Sequence, residues 1–121
     1  MKDPYDYPIP LTTLTAEFYG YGAAFPIASA AINCISKAMT DFRSHAFESQ
    51  VAIAMEKLTY SSEGLYLILY PGPHLTWFWW LEVITAISNF IRVQDMYVDF
   101  SFIIVKEGVE GDIGRGIFSA S

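Results

Sequence analysis

A single cysteine, Cys34, in a chain of 121 residues rules out an intramolecular disulfide framework. Charge is scarce as well: 17% of the residues are Asp, Glu, Lys or Arg, against about 25% in an average globular domain. Only seven are basic, they are scattered, and the net charge is -6. Phosphate-backbone binding draws its affinity from clustered Lys and Arg, so nucleic acid is not expected as a partner. No Gly-x-Ser-x-Gly, His-Glu-x-x-His, Cys-x-x-Cys or Walker-type loop occurs, nor any Asn-x-Ser/Thr glycosylation site. The apolar segment Leu75–Ile91 is short for a membrane span, carries Glu82 and has a polar stripe along one side. No transmembrane segment is expected. The opening MKDPYDYPIP lacks a basic-then-apolar leader, so the protein either is not exported or begins here after a removed signal.

Apolar and aromatic residues are plentiful. The chain is 53% hydrophobic and 17% aromatic, and the apolar share exceeds the usual 45–50% or so. At this length one domain buries a real core, and part of the excess is expected to face something else. The stretch Gly64–Gln94 organises the rest: an apolar strand, a proline-bracketed turn, then a helix with all three tryptophans in its first turn.

In chain order, residues 1–11 read as an extended arm, because Pro4, Pro8 and Pro10 forbid a helix, with Tyr5 and Tyr7 free to dock on a surface. Residues 12–121 form one α+β domain. Thr12–Gly22 alternates with period two, Leu14, Ala16 and Phe18 pointing one way and Thr13, Thr15, Glu17 and Tyr19 the other. An amphipathic helix runs from Pro26 to about Ala46, with Ile27, Ala31, Ile35, Ala38, Met39, Phe42 and Ala46 on its apolar face. Residues 47–56 are ambiguous and are read as loop. Strands Lys57–Ser61 and Leu65–Tyr70 flank a Ser62-Glu63-Gly64 turn, and the second helix spans about Thr76–Val93. A strand Met96–Lys106, a glycine-rich connection and a closing strand Gly116–Ala120 complete the chain. This order predicts a ferredoxin-like βαββαβ sandwich with an extra C-terminal strand, two helices on one face of an antiparallel sheet. The other face would carry Thr13, Thr15, Glu17, Tyr19, Tyr66, Ile68, Tyr70, Tyr97, Asp99, Ser101 and Ile103, provided the register holds.

Little catalytic chemistry survives inspection. Cys34 and His45 lie roughly 16 Å apart along one helix and form no dyad. Cys34 reads as a half-buried thiol and His45 as a solvated residue near the helix end. His74, beside the tryptophan cluster, has the freedom of a loop position but no second histidine nearby. Glu107, Glu110 and Asp112 lack calcium-loop spacing, and the glycines of that connection lack the following helix a phosphate loop needs. No catalytic residue, metal site or cofactor is assigned. Trp77, Phe78, Trp79 and Trp80 are consecutive and point all around their helix. Either two fill the core and two cap its rim, or the cluster forms an interface.

The layout FYGYGAAFPIASAAINCISKAMTDFRSHA, followed by a strand ending in YPGPHLTW, resembles a broad group of small fungal proteins. In that group Leu-Thr-Trp after a proline turn starts a helix, here Leu75-Thr76-Trp77, and a final Gly-x-Gly precedes a short apolar strand, here Gly114-Arg115-Gly116. The resemblance implies a secreted type of protein and supplies no catalytic residues. The leading expectation is a non-enzymatic, secreted, effector-like interaction protein that self-associates as a dimer through an aromatic surface, with a cytoplasmic location as the alternative. A protein partner or small apolar ligand would use the same candidates: Trp77, Phe78, Trp79, Trp80, His74, Tyr66, Tyr70, Tyr97 and Asp99. The alternative function is a small-molecule binder or cofactor-free enzyme with a pocket between the open sheet face and the start of the second helix.

Overall fold

The computed structural model describes residues 3–120. Six strands and two α-helices follow in the order β1 (Tyr5–Pro8), β2 (Leu14–Tyr19), α1 (Ala28–Ser44), β3 (Leu58–Ser62), β4 (Leu65–Pro71), α2 (Trp77–Val93), β5 (Phe100–Lys106) and β6 (Asp112–Ser119), with a 3-10 turn at Ala46–Glu48. The expected α+β class, with two helices on one face of an antiparallel sheet, is what the chain forms. The sheet runs β1-β2-β5-β6-β4-β3, every neighbouring pair antiparallel. The closing strand is thus central. β5 and β6 stand between β2 and β4, the two strands that a four-stranded ferredoxin-like sheet sets side by side.

Residues 1–11 are not a separate arm where they are described. β1 pairs with β2, Tyr5 opposite Phe18 and Tyr7 opposite Ala16, and Ile9 is buried. Tyr5 and Tyr7 dock as expected, Tyr5 tilted against Phe90 at 5.7 Å and Tyr7 edge-on to Phe18 at 6.5 Å. Pro8, which ends β1, is tolerated there because an edge strand leaves one side of its backbone unpaired.

The 57–70 segment folds as a two-residue hairpin: Ser62 pairs with Leu65, and Glu63 and Gly64 take φ of 50° and 81°, the left-handed pair a tight hairpin requires. The closing strand starts at Asp112 instead of Gly116, and β5 starts at Phe100 instead of Met96. Gly114, expected in the connection, and Gly116, expected at the first position of the closing strand, both lie inside β6. A Cβ on Gly116 would sit 2.3 Å from the Ile68 carbonyl oxygen and 2.4 Å from Phe102 Cζ, so only glycine fits under that ring. Such close approach is a regular reason for glycine within a strand.

Alternation along the strands sends Leu14, Ala16, Phe18, Leu58, Tyr60, Leu65, Leu67, Leu69, Phe100, Phe102, Ile104 and Phe118 into the core under both helices. α1 contributes Ala30, Ala31, Cys34, Ile35 and Ala38, and α2 contributes Trp77, Trp80, Val83, Ile84, Ala86, Ile87, Phe90 and Ile91. Ile27, placed on the apolar face of the first helix by its spacing, precedes the helix and is exposed. Aromatic rings join the layers: Phe18 and Phe90 stack at 4.0 Å, and Phe100 meets both edge-on at 5.5 and 5.3 Å. Pairs of this geometry contribute about 0.5–1.5 kcal/mol each beyond the area they bury.

Candidate interaction surfaces

α2 begins where Thr76, extended at φ -88°, accepts a hydrogen bond from the Trp79 backbone N–H at 3.2 Å. That cap satisfies one of the unpaired N–H groups of the first turn and fixes the rotation of the four aromatics. Trp77 and Trp80 are buried, Trp79 is half-buried with Lys106 Nζ 5.2 Å from its ring centre, and Phe78 is 38% exposed. Two therefore fill the core and two cap its rim. The tryptophans do not form one aromatic surface. What remains outside is Phe78, whose backbone N–H donates to the Ser49 carbonyl at 2.9 Å.

The other sequence candidates are dispersed. His74 is exposed in the loop before the buried Leu75. Tyr97 lies ahead of β5 and packs partly against the core instead of joining the outer sheet face. Asp99 has a tethering role. Its Oδ1 accepts from the Ala120 N–H at 3.2 Å, its backbone oxygen accepts from the Gly22 N–H at 2.8 Å, and its N–H donates to the Ala23 carbonyl at 2.9 Å. Tyr66 and Tyr70 do face outward from β4, 39% and 44% exposed.

The one cluster of titratable groups that sequence reading missed surrounds His45. It is not a solvated end residue. Its ring stacks on Trp77 at 3.8 Å and 6°, Nδ1 lies 2.9 Å from Glu48 Oε2, and Nε2 lies 3.6 Å from Asp41 Oδ1. Asp41 Oδ2 accepts from the Tyr60 hydroxyl at 2.6 Å. Burial, and then the hydrogen bond to Asp41, push the Tyr60 phenol well up from its ordinary value; the nearby Trp80 indole N–H opposes this. That N–H is itself buried outside hydrogen-bond geometry. The i, i+4 and i, i+3 spacings of Asp41, His45 and Glu48 were legible in the sequence; Tyr60 and Trp77 were not, since both arrive by tertiary packing. The cluster ties α1, the 3-10 turn, β3 and α2 together, and no cavity opens beside it. Cys34 is fully buried, its Sγ 3.4 Å from the Leu65 carbonyl, and desolvation pushes its thiol up. That combination keeps it unreactive.

The face of the sheet away from the helices is the remaining surface. Cross-strand register sets three rows on it: Thr15–Val105–Asp112, Glu17–Ile103–Arg115–Tyr70 and Tyr19–Ser101–Ile117–Ile68. Half-buried Ile68, Ile103, Val105 and Ile117 occupy its centre on three adjacent strands. Tyr19, Tyr66 and Tyr70 frame them, Glu17 lies to one side, and Arg115, bonded to Asp112 at 2.5 Å, lies to the other. Thr13 precedes β2 and is outside the paired register. No ligand-sized cavity opens among the described residues, either on this face or near His74. Among the described residues no helix is long and apolar enough to cross a membrane. No family model, curated protein or solved structure matches the chain.

Proposed function

We propose that this chain is a non-enzymatic interaction protein that self-associates by packing its open sheet face against a second copy. The observation that carries the reading is the make-up of that face: an aliphatic cluster across β4, β6 and β5, a tyrosine frame, the acidic Asp6, Glu17 and Asp112, and the cationic Arg115. An antiparallel sheet with one solvated face ordinarily alternates apolar-in and polar-out. Here Ile68, Ile103, Val105 and Ile117 take outward positions on β4, β5 and β6, beside Ser101 and Arg115. A patch with both signs of charge is self-complementary, which a twofold interface demands.

The sheet edges are poor alternatives. β1 has four residues and ends in Pro8, and β3 has five, with Lys37 Nζ donating to the Ser61 carbonyl. Short, proline-bearing or covered edges resist strand addition. The ferredoxin-like comparison describes the element order, strand–helix–strand twice over, with β1 and β6 added. The secreted, effector-like setting belongs to the proposal through the sequence resemblance alone. Sedimentation equilibrium across the micromolar range tests the association: a mass that rises towards twice 13.6 kDa is expected, and a constant monomer mass would count decisively against it. The reading that keeps a small-molecule pocket has no cavity to work with among the described residues.

A further inference from the structure

We infer that two copies pair about a twofold axis running along β5, with Ile103 on the axis and Glu17 of each copy against the partner's Arg115. This rests on the self-association proposed above and fixes its register. The argument comes from the rows of the open face. Neighbouring strands are about 4.8 Å apart, so Glu17 and Arg115 flank Ile103 at about 5 Å on either side. A half-turn about β5 reverses each row onto itself. Arg115 then covers Glu17, Tyr19 covers Ile117, Thr15 covers Asp112, and Asp6 on β1 covers Tyr70. Each pair is compatible: an ion pair in which Arg115 keeps its own Asp112 and adds the partner's Glu17, an aromatic ring on an aliphatic side chain, and two hydroxyl–carboxylate pairs.

The two neighbouring parallel axes fail the same comparison. An axis along β6 sets Arg115 on Arg115, and one between β5 and β6 sets Ile103 on Arg115 and Ser101 on Ile117. The acidic side of the face also calls for a cation. Asp6 and Glu17 are cross-strand partners, and like charges placed directly opposite are destabilising. Face-to-face sheets pack about 10 Å apart with their strands about 30° from parallel. At that angle a group about 5 Å from the axis moves only about 2.5 Å, within the reach of an arginine. The footprint, five strands wide because β3 falls outside the overlap, and about six residues long, is about 19 by 20 Å. That size belongs to the smaller, weaker class of stable complexes.

Charge reversal tests the register. Glu17→Arg and Arg115→Glu should each weaken self-association about tenfold or more, with thermal unfolding confirming that each variant is folded. Mixed in equal amounts, the two variants should pair about as well as the wild type, because the mixture regains both ion pairs and neither variant alone can. Glu17→Gln and Arg115→Gln add no repulsion and should weaken association less, which covers the case in which a reversal does not fold. A wild type that pairs while the reversals change nothing, or a mixture no better than its components, overturns this register and leaves self-association standing. A wild type that stays monomeric overturns both.

Discussion

Gly116 offers a sharp test of the central placement of β6. An alanine there puts a methyl group 2.3 Å from the Ile68 carbonyl oxygen and 2.4 and 2.8 Å from two carbons of the Phe102 ring. Ordinary contact begins near 3.4 Å, so roughly 1 Å must open between β4 and β6 or under a ring that has no free space. The Ile68 oxygen cannot retreat, since its strand is held by the Ile68–Ile117 pairing, and Phe102 is fully buried. Overpacking of this kind costs about 1–3 kcal/mol, against a gain of about 0.4–1 kcal/mol from stiffening the unfolded chain. The clash wins. Overlap this deep belongs at the upper end of that cost, about 2–3 kcal/mol. Unfolding entropy of about 2.1 cal/mol/K per residue makes each kcal/mol worth about 4 °C at this chain length, so the net loss of about 1–2.6 kcal/mol lowers the melting temperature by about 4–10 °C. Thermal unfolding followed by circular dichroism reads this directly. Gly108→Asn is the control: φ is 84° and nothing lies within 4 Å, so a residue tolerant of that conformation should be nearly neutral. A Gly116→Ala protein within about 0.5 kcal/mol of the wild type would show that β6 does not lie under Phe102.

Ile84→Ala, at a fully buried position of α2, should cost about 2–5 kcal/mol in chemical unfolding, and a near-neutral result would misplace that helix face. Tyr60→Phe removes the hydroxyl donated to Asp41 and should cost about 1–3 kcal/mol near neutral pH. The folded state holds the Tyr60 proton more tightly than the unfolded chain does. The stability this contributes is complete below about pH 10 and is lost as pH rises beyond it. The variant should therefore lose stability less steeply than the wild type in that alkaline range. Phe78→Ser should leave both stability and self-association nearly unchanged, because Phe78 is at the helix rim, away from the open face; unfolding of that variant would make it a core residue.

The parts legible in the sequence were those set by local periodicity. Period-two alternation at Leu14–Tyr19 and Leu65–Tyr70 put the correct side chains on the correct faces, and the 3.6-residue pattern found both helices within two residues at each end. The split of the four helix-2 aromatics into two core and two rim residues was one of the two readings their spacing allowed. Other features depend on contacts remote in sequence. Nothing local says that β6 inserts between β5 and β4, or that it includes Gly114 and sets Gly116 under Phe102. Tyr97 alternates with the strand that follows, yet a bridge from Val98 to Ala24 and a hydrogen bond from the Phe25 N–H to its carbonyl draw it out of that strand. His45 was hidden for the same reason, since Trp77 reaches it from another helix. The candidate surface itself was half visible: Tyr66 and Tyr70 belonged to it, whereas Ile117 and Arg115 entered only with the central position of β6.

Site-directed crosslinking tests the central claim most directly. Cys34 is fully buried, so a cysteine introduced elsewhere is the one thiol open to reagent. Ile103→Cys and Phe78→Cys proteins, each treated with a short bifunctional maleimide at micromolar concentration, report which surface meets its own copy. Pairing through the open sheet face predicts a covalent dimer from Ile103→Cys and monomer from Phe78→Cys. A dimer from Phe78→Cys with monomeric Ile103→Cys would contradict it.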